Sequence, residues 1–313
     1  MVHPGHHHGG GSASLGHGLG FGGEGAPFAA AAILNIGFVA AEAFVGIAGH
    51  SVALLADAGH NLGDVLGLLT AWGASLLVRR APTTQFTYGW RSSSILAALT
   101  NAIILFVAVG GIAAEAINRL TAPEPVAGGV VMIVAAIGIV VNGTSALLFG
   151  ATRRHADLNL RAVFVHMLSD AVISAGIVIT GVVILFTHWF WLDPAVSLVV
   201  AAAILIGSWR LLRDSVNMAL AGVPLTIDPQ AVRDYLGSEP GVVAVHDLHI
   251  WPMSTTETAL TCHLVMPVGH AGDALLTRIA GTLLERFSIG HVTIQVESGD
   301  PAHPCVLVPD HVV

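Results

Sequence analysis

No charged side chain occurs between Glu124 and Arg153. An unbroken apolar run of that length exceeds the ~20 residues needed to span a bilayer. Five more apolar segments flank it, and the six read as residues 28–48, 52–78, 91–117, 126–151, 161–187 and 193–213. Polar or Gly/Pro-rich breaks separate them, among them Arg79 to Gly89, Thr121 to Pro125, and Asp193-Pro194. Composition agrees: the chain is 54% hydrophobic and 10% charged, with mean hydropathy +0.77. A soluble domain carries about 25% charged residues. The reading is a multi-pass membrane protein with a minority soluble part.

Arginine placement gives an orientation. All twelve basic residues are arginines. Arg79, Arg80, Arg91, Arg153, Arg154, Arg161, Arg210 and Arg213 follow the second, fourth and sixth spans, and only Arg119 falls on the other side. The positive-inside rule then puts both termini in the cytoplasm. Cys262 and Cys305 form no disulfide framework and suit a reducing cytosol.

Residues 1–27 are Gly- and His-rich, with His3, His6, His7, His8 and His17. They lack the basic n-region and cleavage site of a signal peptide and are expected to be disordered. Such tracts can collect metal; a compositional accident accounts for this one equally well. Residues 28–215 form the six-span region. From about 222 to 300 the pattern changes to a helix at 229–236, strands at 243–251 and 258–266, a helix at 271–287 and a strand at 291–297. The order α-β-β-α-β is that of a small two-layer, ferredoxin-like α+β module. An irregular tail, 301–313, follows. The predicted fold is therefore an all-α six-helix membrane domain plus a small cytosolic α+β domain.

Two apolar spans each carry the same device, His60-Asn61-Leu62-Gly63-Asp64 and His166-Met167-Leu168-Ser169-Asp170. A four-residue step turns a helix by about 400°, so each His and Asp share a face, ~6 Å apart along the axis. Ionisable groups inside a membrane read by default as a functional site. One pair is an incomplete metal site; two facing pairs supply the four N and O ligands of a tetrahedral divalent ion. The donor set suits Zn²⁺, with Co²⁺, Cd²⁺ and Ni²⁺ also possible. Small neighbours (Gly59, Gly63, Gly67, Ser169, Ala171, Ser174) permit close helix approach. Spacing alone leaves open a His–Asp hydrogen bond within each helix and no metal. Asp57, one turn before His60, reads as a hydrogen-bond acceptor behind the ligands or an ion-path residue, or else as an acid in the first turn of a broken helix. Glu42 is a further polar group at membrane depth, a candidate for the outward path.

Several segments together resemble the cation diffusion facilitator family, most closely its zinc-transporting branch. They are the run Ser51 to Asp64, Tyr88-Gly89-Trp90-Arg91, the second His-xxx-Asp at His166 and Asp170, and Val245 to Trp251. The resemblance covers about residues 28–300. It implies a homodimeric six-span carrier that exports Zn²⁺ from the cytoplasm in exchange for protons by alternating access, sited in a bacterial inner membrane. It implies transport ligands at His60, Asp64, His166 and Asp170. In the C-terminal domain it implies metal ligands at His246, His263 and Glu297, with Cys305 or the His-rich N-terminus completing the set. His246 and His249 have an odd spacing and would point to opposite faces of a strand, so His249 is at most an accessory. Polar residues on a solvated sheet face are the plain alternative.

No enzyme is expected: a zinc protease would want a motif such as His-Glu-xx-His, which is absent. No cofactor is expected beyond Zn²⁺ as substrate or regulatory ligand, and no nucleic-acid partner. Cobalt, cadmium or nickel efflux is the near alternative. A cation channel lined by carboxylates or a membrane metal sensor is the alternative of a different class.

Overall fold

The computed structural model describes residues 25–151, 158–269 and 272–308, with side chains described for 36–143, apart from 68, 71 and 75, and from 168 onward. The N-terminal histidines and the His166 side chain lie outside the described residues. The chain divides into two compact units. One comprises Gly23–Leu77 and Leu96–Val216; the other gathers Val78–Ile95 with Asn217 and the residues after it.

The first unit is built from six long helices: α1 (Gly25–Ala48), α2 (Val52–Val78), α3 (Ser93–Thr121), α4 (Gly128–Ala151), α5 (Leu158–Thr187) and α6 (Leu192–Ala219). Among the described residues, α2, α3, the part of α5 from Leu168, and α6 are long and apolar enough to cross a membrane. The distribution of polarity is that of a protein in lipid. Phe44, Val107, Ile179 and Ile206 are exposed, while Glu42, Asp57, Asn61 and Asp170 are buried. Two apolar clusters centre on α2. Ala56 packs with Leu105 and Val109 of α3 and with Val200, Ala201 and Ile204 of α6. Ala53 and Leu54 pack with Val131 and Ala135 of α4 and with Ile177 of α5.

Helices α3 and α6 run a turn or more past the spans read from hydropathy. The extensions are not apolar, and (i, i+4) ion pairs support them: Arg119 with Glu115 at 2.7 Å and Arg210 with Asp214 at 3.5 Å. Such pairs favour a helix that has left the apolar zone.

The N-terminus of α2 is capped from another helix. Ser51 Oγ donates to Asp193 Oδ1 at 2.5 Å, and the Val52 and Ala53 amides donate to Asp193 Oδ2 at 2.6 and 3.3 Å. The orphan amides of a helix start thus find a carboxylate, and Ser197 Oγ donates to the Val52 carbonyl at 3.2 Å.

The second unit holds α7 (Pro229–Gly237), β1 (Ala244–Pro252), β2 (Thr258–Val265), α8 (Asp273–Phe287) and β3 (His291–Glu297). Asp228 caps α7, accepting from the Gln230 amide at 2.9 Å, with Pro229 in the first turn. Strand order is β1-β2-β3, antiparallel then parallel. The helices pack on the sheet around Val232, Leu236, Leu260, Cys262, Leu264, Ile279 and Leu283. Residues 78–95 belong to this unit through contacts with the β1–β2 hairpin. Arg91 pairs with Glu257, Ser92 Oγ donates to the Met253 carbonyl at 3.3 Å, and the Thr255 amide donates to Ser94 Oγ at 3.1 Å. The Tyr88 ring meets His291 edge-on at 5.5 Å.

Candidate metal sites

The first site is made by α2 and α5. Helical spacing sets His60 and Asp64 on one face of α2, and Asp170 faces them from α5. His60 Nε2 lies 3.1 Å from Asp170 Oδ1 and 3.8 Å from Asp64 Oδ2. One donor atom from each of the three falls within 4.8 Å of the others. His166 stands one turn before Asp170 on the same helix, but its side chain is outside the described residues. The site is graded in exposure: the Asp170 side chain is 6% exposed, His60 15% and Asp64 43%.

Behind these three residues lies a polar layer. Asp57 is not among the convergent donors. Its Oδ2 accepts from Ser174 Oγ of α5 at 3.0 Å, and Glu42 of α1 accepts from Asn61 Nδ2 at 2.9 Å. Asp57 is a buried acceptor for Ser174, a residue outside the ligand set. The sequence reading missed Asn61 and Ser174 as partners. The signal was present: both lie within four residues of a ligand on helices whose other faces are apolar.

Glycine permits this packing at α2. A Cβ at Gly63 would come within 2.8 Å of Leu105 Cδ1, and one at Gly67 within 3.0 Å of Asn101 Nδ2. Either methyl would force the end of the Leu105 or the Asn101 side chain of α3 to shift.

The second site lies on one face of the sheet in the C-terminal unit. His246 of β1 and His263 of β2 are cross-strand partners, with rings T-shaped at 5.0 Å. Glu297 ends β3 and reaches both: Oε2 lies 3.1 Å from His246 Nε2, and Oε1 lies 2.9 Å from His263 Nδ1. From the tail, Cys305 Sγ lies 3.5 Å from His263 Nδ1. The four residues each offer a donor within 4.8 Å of the rest. Zinc bonds of about 2.0–2.3 Å give tetrahedron edges of roughly 3.3–3.8 Å, so these separations fit an ion after small adjustments. Two imidazoles, a carboxylate and a thiol form a borderline-soft set that suits zinc.

Burial raises the Glu297 carboxyl, but hydrogen bonds from Cys305, Gln295 and His246 outweigh it and hold Glu297 below the usual range. The Cys305 thiol is lowered by the Leu307 amide, yet partial burial and the Glu297 and Asp247 carboxylates leave it raised. Cys262 is a core residue whose thiol burial pushes up to about 12, which makes it an inert packing group.

His249 is not brought into this tetrad. Between His246 and His249 strand β1 carries an extra residue relative to β2, a β-bulge, and His249 Nε2 instead meets Asp247 Oδ1 at 2.9 Å. The bulge undoes simple alternation: His246 and His249 pair with His263 and Thr261, which share a face of β2, so the two histidines fall on the same face of β1, contrary to the expectation of opposite faces, and His249 stands one cross-strand pair further along.

Comparison with known proteins supplies the family. The description "Cation efflux transmembrane domain" matches residues 28–218, and "Cation efflux protein, cytoplasmic domain" matches residues 224–299. The chain belongs to the cation efflux family. The zinc transporter ZitB of Escherichia coli (strain K12) is 39% identical over 271 residues, covering 86% of each chain. The metal cation efflux system protein CzcD of Cupriavidus metallidurans is 33% identical over 261 residues, 83% of this chain and 82% of that one. A cadmium, cobalt and zinc/H(+)-K(+) antiporter of Bacillus subtilis (strain 168) is 33% identical over 271 residues, 85% and 86% of the two chains. The resemblance drawn from the sequence is thereby borne out, as is the fold class of a helical membrane domain with a small α+β domain. As a cation efflux protein the chain is a membrane transporter and not an enzyme.

Proposed function

We propose that this cation efflux protein exports zinc from the cytoplasm in exchange for protons, using His60, Asp64, His166 and Asp170 as the transport ligands. The observation that carries this reading is the convergence of His60, Asp64 and Asp170 across the α2–α5 contact, inside an otherwise apolar helical unit. Two carboxylates and neutral imidazole offset the charge of a divalent ion where lipid would not. The same lone pairs bind protons, so protonation on the outer side weakens the ligands and releases the metal. Alternating access of the helices supplies the change of side. The names of the relatives, a zinc transporter, a metal cation efflux system protein and a cadmium, cobalt and zinc/H(+)-K(+) antiporter, support zinc as the ion and include the proton among the counter-ions.

The protein works as a homodimer in a bacterial inner membrane with both termini in the cytoplasm. The arginine map supports the orientation, and the match of residues 224–299 to a cytoplasmic domain agrees with it. His246, His263, Glu297 and Cys305 hold a regulatory or structural zinc ion in that domain. Zinc there supplies cross-linking of two strands, the sheet edge and the tail.

The test is zinc uptake into sealed, everted vesicles or proteoliposomes with an imposed pH gradient. The expected result is saturable uptake that collapses when the gradient is dissipated. Asp170→Asn is expected to reduce it to background. Non-saturating, gradient-independent flux would identify a channel, and metal binding without flux would identify a sensor. A panel of Co²⁺, Cd²⁺ and Ni²⁺ ranks the alternative cargoes.

A further inference from the structure

We propose that Asp247 is a positioning residue of the cytosolic metal site: it holds His263 through Nε2, so that Nδ1 is the nitrogen presented to the ion. The proposal rests on the reading that the His246/His263/Glu297/Cys305 tetrad binds metal.

The two ring nitrogens of His263 see different partners. Nδ1 faces the tetrad, 2.9 Å from Glu297 Oε1 and 3.5 Å from Cys305 Sγ. Nε2 faces away from it, 3.4 Å from Asp247 Oδ2. A neutral imidazole has one N–H and one lone pair. Carboxylates flank both nitrogens, but an ion in the tetrad would take the Glu297 oxygen and the Nδ1 lone pair together, so the N–H then falls to Nε2, where Asp247 is the acceptor. The tetrad's other histidine is arranged in the same sense. His246 Nε2 faces Glu297 at 3.1 Å, and its Nδ1 lies 3.4 Å from the Leu307 carbonyl. Each imidazole thus has an outer acceptor on one nitrogen and the donor cluster on the other. An outer acceptor of this kind fixes the tautomer and ring orientation and strengthens the ligand.

The backbone explains why Asp247 can do this. It occupies the bulge between His246 and His249, with φ of 49°. Asp and Asn tolerate this left-handed conformation better than most side chains. The bulge turns the carboxylate off the simple in–out alternation of a strand and lets its two oxygens serve two imidazoles. His249 Nε2 lies 2.9 Å from Oδ1 and fixes the plane of the carboxylate. The Asp247 side chain is only 11% exposed, so solvent does not compete strongly for it. Among the described residues, Asp247 is thus the carboxylate beside the tetrad whose oxygens are turned to the back of a ligand instead of toward the donors.

The test uses the full-length protein in detergent, with Asp170→Asn as the parent so that the transport site is weakened, and Co²⁺ as the probe. A thiolate-to-cobalt charge-transfer band reports the cytosolic site specifically, since Cys305 belongs to the tetrad and Cys262 is sealed in the core. Asp247→Gly removes the carboxylate while suiting a positive φ. It is expected to weaken cobalt binding by about 10–100-fold, with the band recovering its parental intensity at saturation because all four ligands remain. Asp247→Asn keeps an acceptor oxygen and the tolerated backbone, and is expected to recover most of the loss. Parental affinity in Asp247→Gly overturns the proposal. So does equal weakness in Asp247→Asn, which would mean that the residue acts through the fold of the bulge. A parent with no thiolate band removes the metal-site reading itself, and the proposal with it, before any variant is compared.

Discussion

Glu297 and Cys305 meet an incoming metal in different protonation states. Hydrogen bonds hold Glu297 below the usual carboxylate range, so it is already ionised at neutral pH. The Cys305 thiol lies above the ordinary thiol range, so it still holds its proton there. Zinc and cobalt bind the thiolate, and binding at this site therefore releases a proton from sulfur. The sign follows: proton release on binding makes affinity rise with pH, by about tenfold per unit while the free thiol remains protonated. Chelator competition at pH 7 and pH 8 is expected to show that slope in the intact protein, and a shallower slope with weaker binding in Cys305→Ser. Identical slopes would remove Cys305 from the ligand set. At the same scale, the paired His-xxx-Asp pattern was legible because helical spacing alone determines that the two side chains share a face. Asp247 was not legible. Its role depends on a bulge, and nothing in the local alternation of β1 announces the extra residue.

Between elements, what matters is how closely α2 is held. Its N-terminal amides are satisfied by Asp193 of α6, a group 141 residues away in the chain. Asp193→Ala would leave the Val52 and Ala53 amides without that acceptor in a buried setting. Each buried orphan costs about 1–3 kcal/mol, so the variant is expected to lower the thermal midpoint of the purified protein, while Asp193→Asn, which keeps an acceptor oxygen, costs less. The glycines of α2 give a sharper contrast. Gly63→Ala places a methyl 2.8 Å from Leu105 Cδ1, and overpacking of that kind typically costs 1–3 kcal/mol. Gly73 has nothing within 4 Å, so Gly73→Ala is expected to be neutral or to stabilise by up to ~1 kcal/mol through helix propensity. Equal effects at the two positions, measured by thermal unfolding in detergent, would show that α3 does not pack on α2 as described. Hydropathy located all six helices because lipid demands long apolar runs. It stopped short of the true ends of α3 and α6 because their last turns are held by Arg119–Glu115 and Arg210–Asp214, which a hydropathy window counts against a span. The choice of Asp193 as a cap was beyond it, since capping from a distant helix is a tertiary fact.

On the scale of the whole chain, the two units have separate cores, and the backbone passes between them after Leu77, Ile95 and Val216. The sequence suggested pairing His60/Asp64 with His166/Asp170 because matched charges in lipid demand partners, and of these four the described side chains His60, Asp64 and Asp170 converge. It was less able to assemble the cytosolic tetrad, whose members come from three strands and a tail and would be unremarkable on any solvated surface. Separate cores imply that the two metal sites can be disabled one at a time. Asp170→Asn is expected to abolish flux and keep the cobalt–thiolate band. The double variant His263→Ala/Cys305→Ala is expected to do the reverse, losing the band and keeping the maximal flux. A regulatory metal contributes only its coupling free energy to transport. At the usual 1–3 kcal/mol this shifts the half-saturating cytoplasmic metal concentration by about 5–150-fold, without removing a ligand from the path. Flux and cobalt titration on the same preparations decide the matter: a double variant with no flux at any metal concentration would mean that the C-terminal site is an obligatory part of the transport cycle, and the division of labour between the units would have to be abandoned.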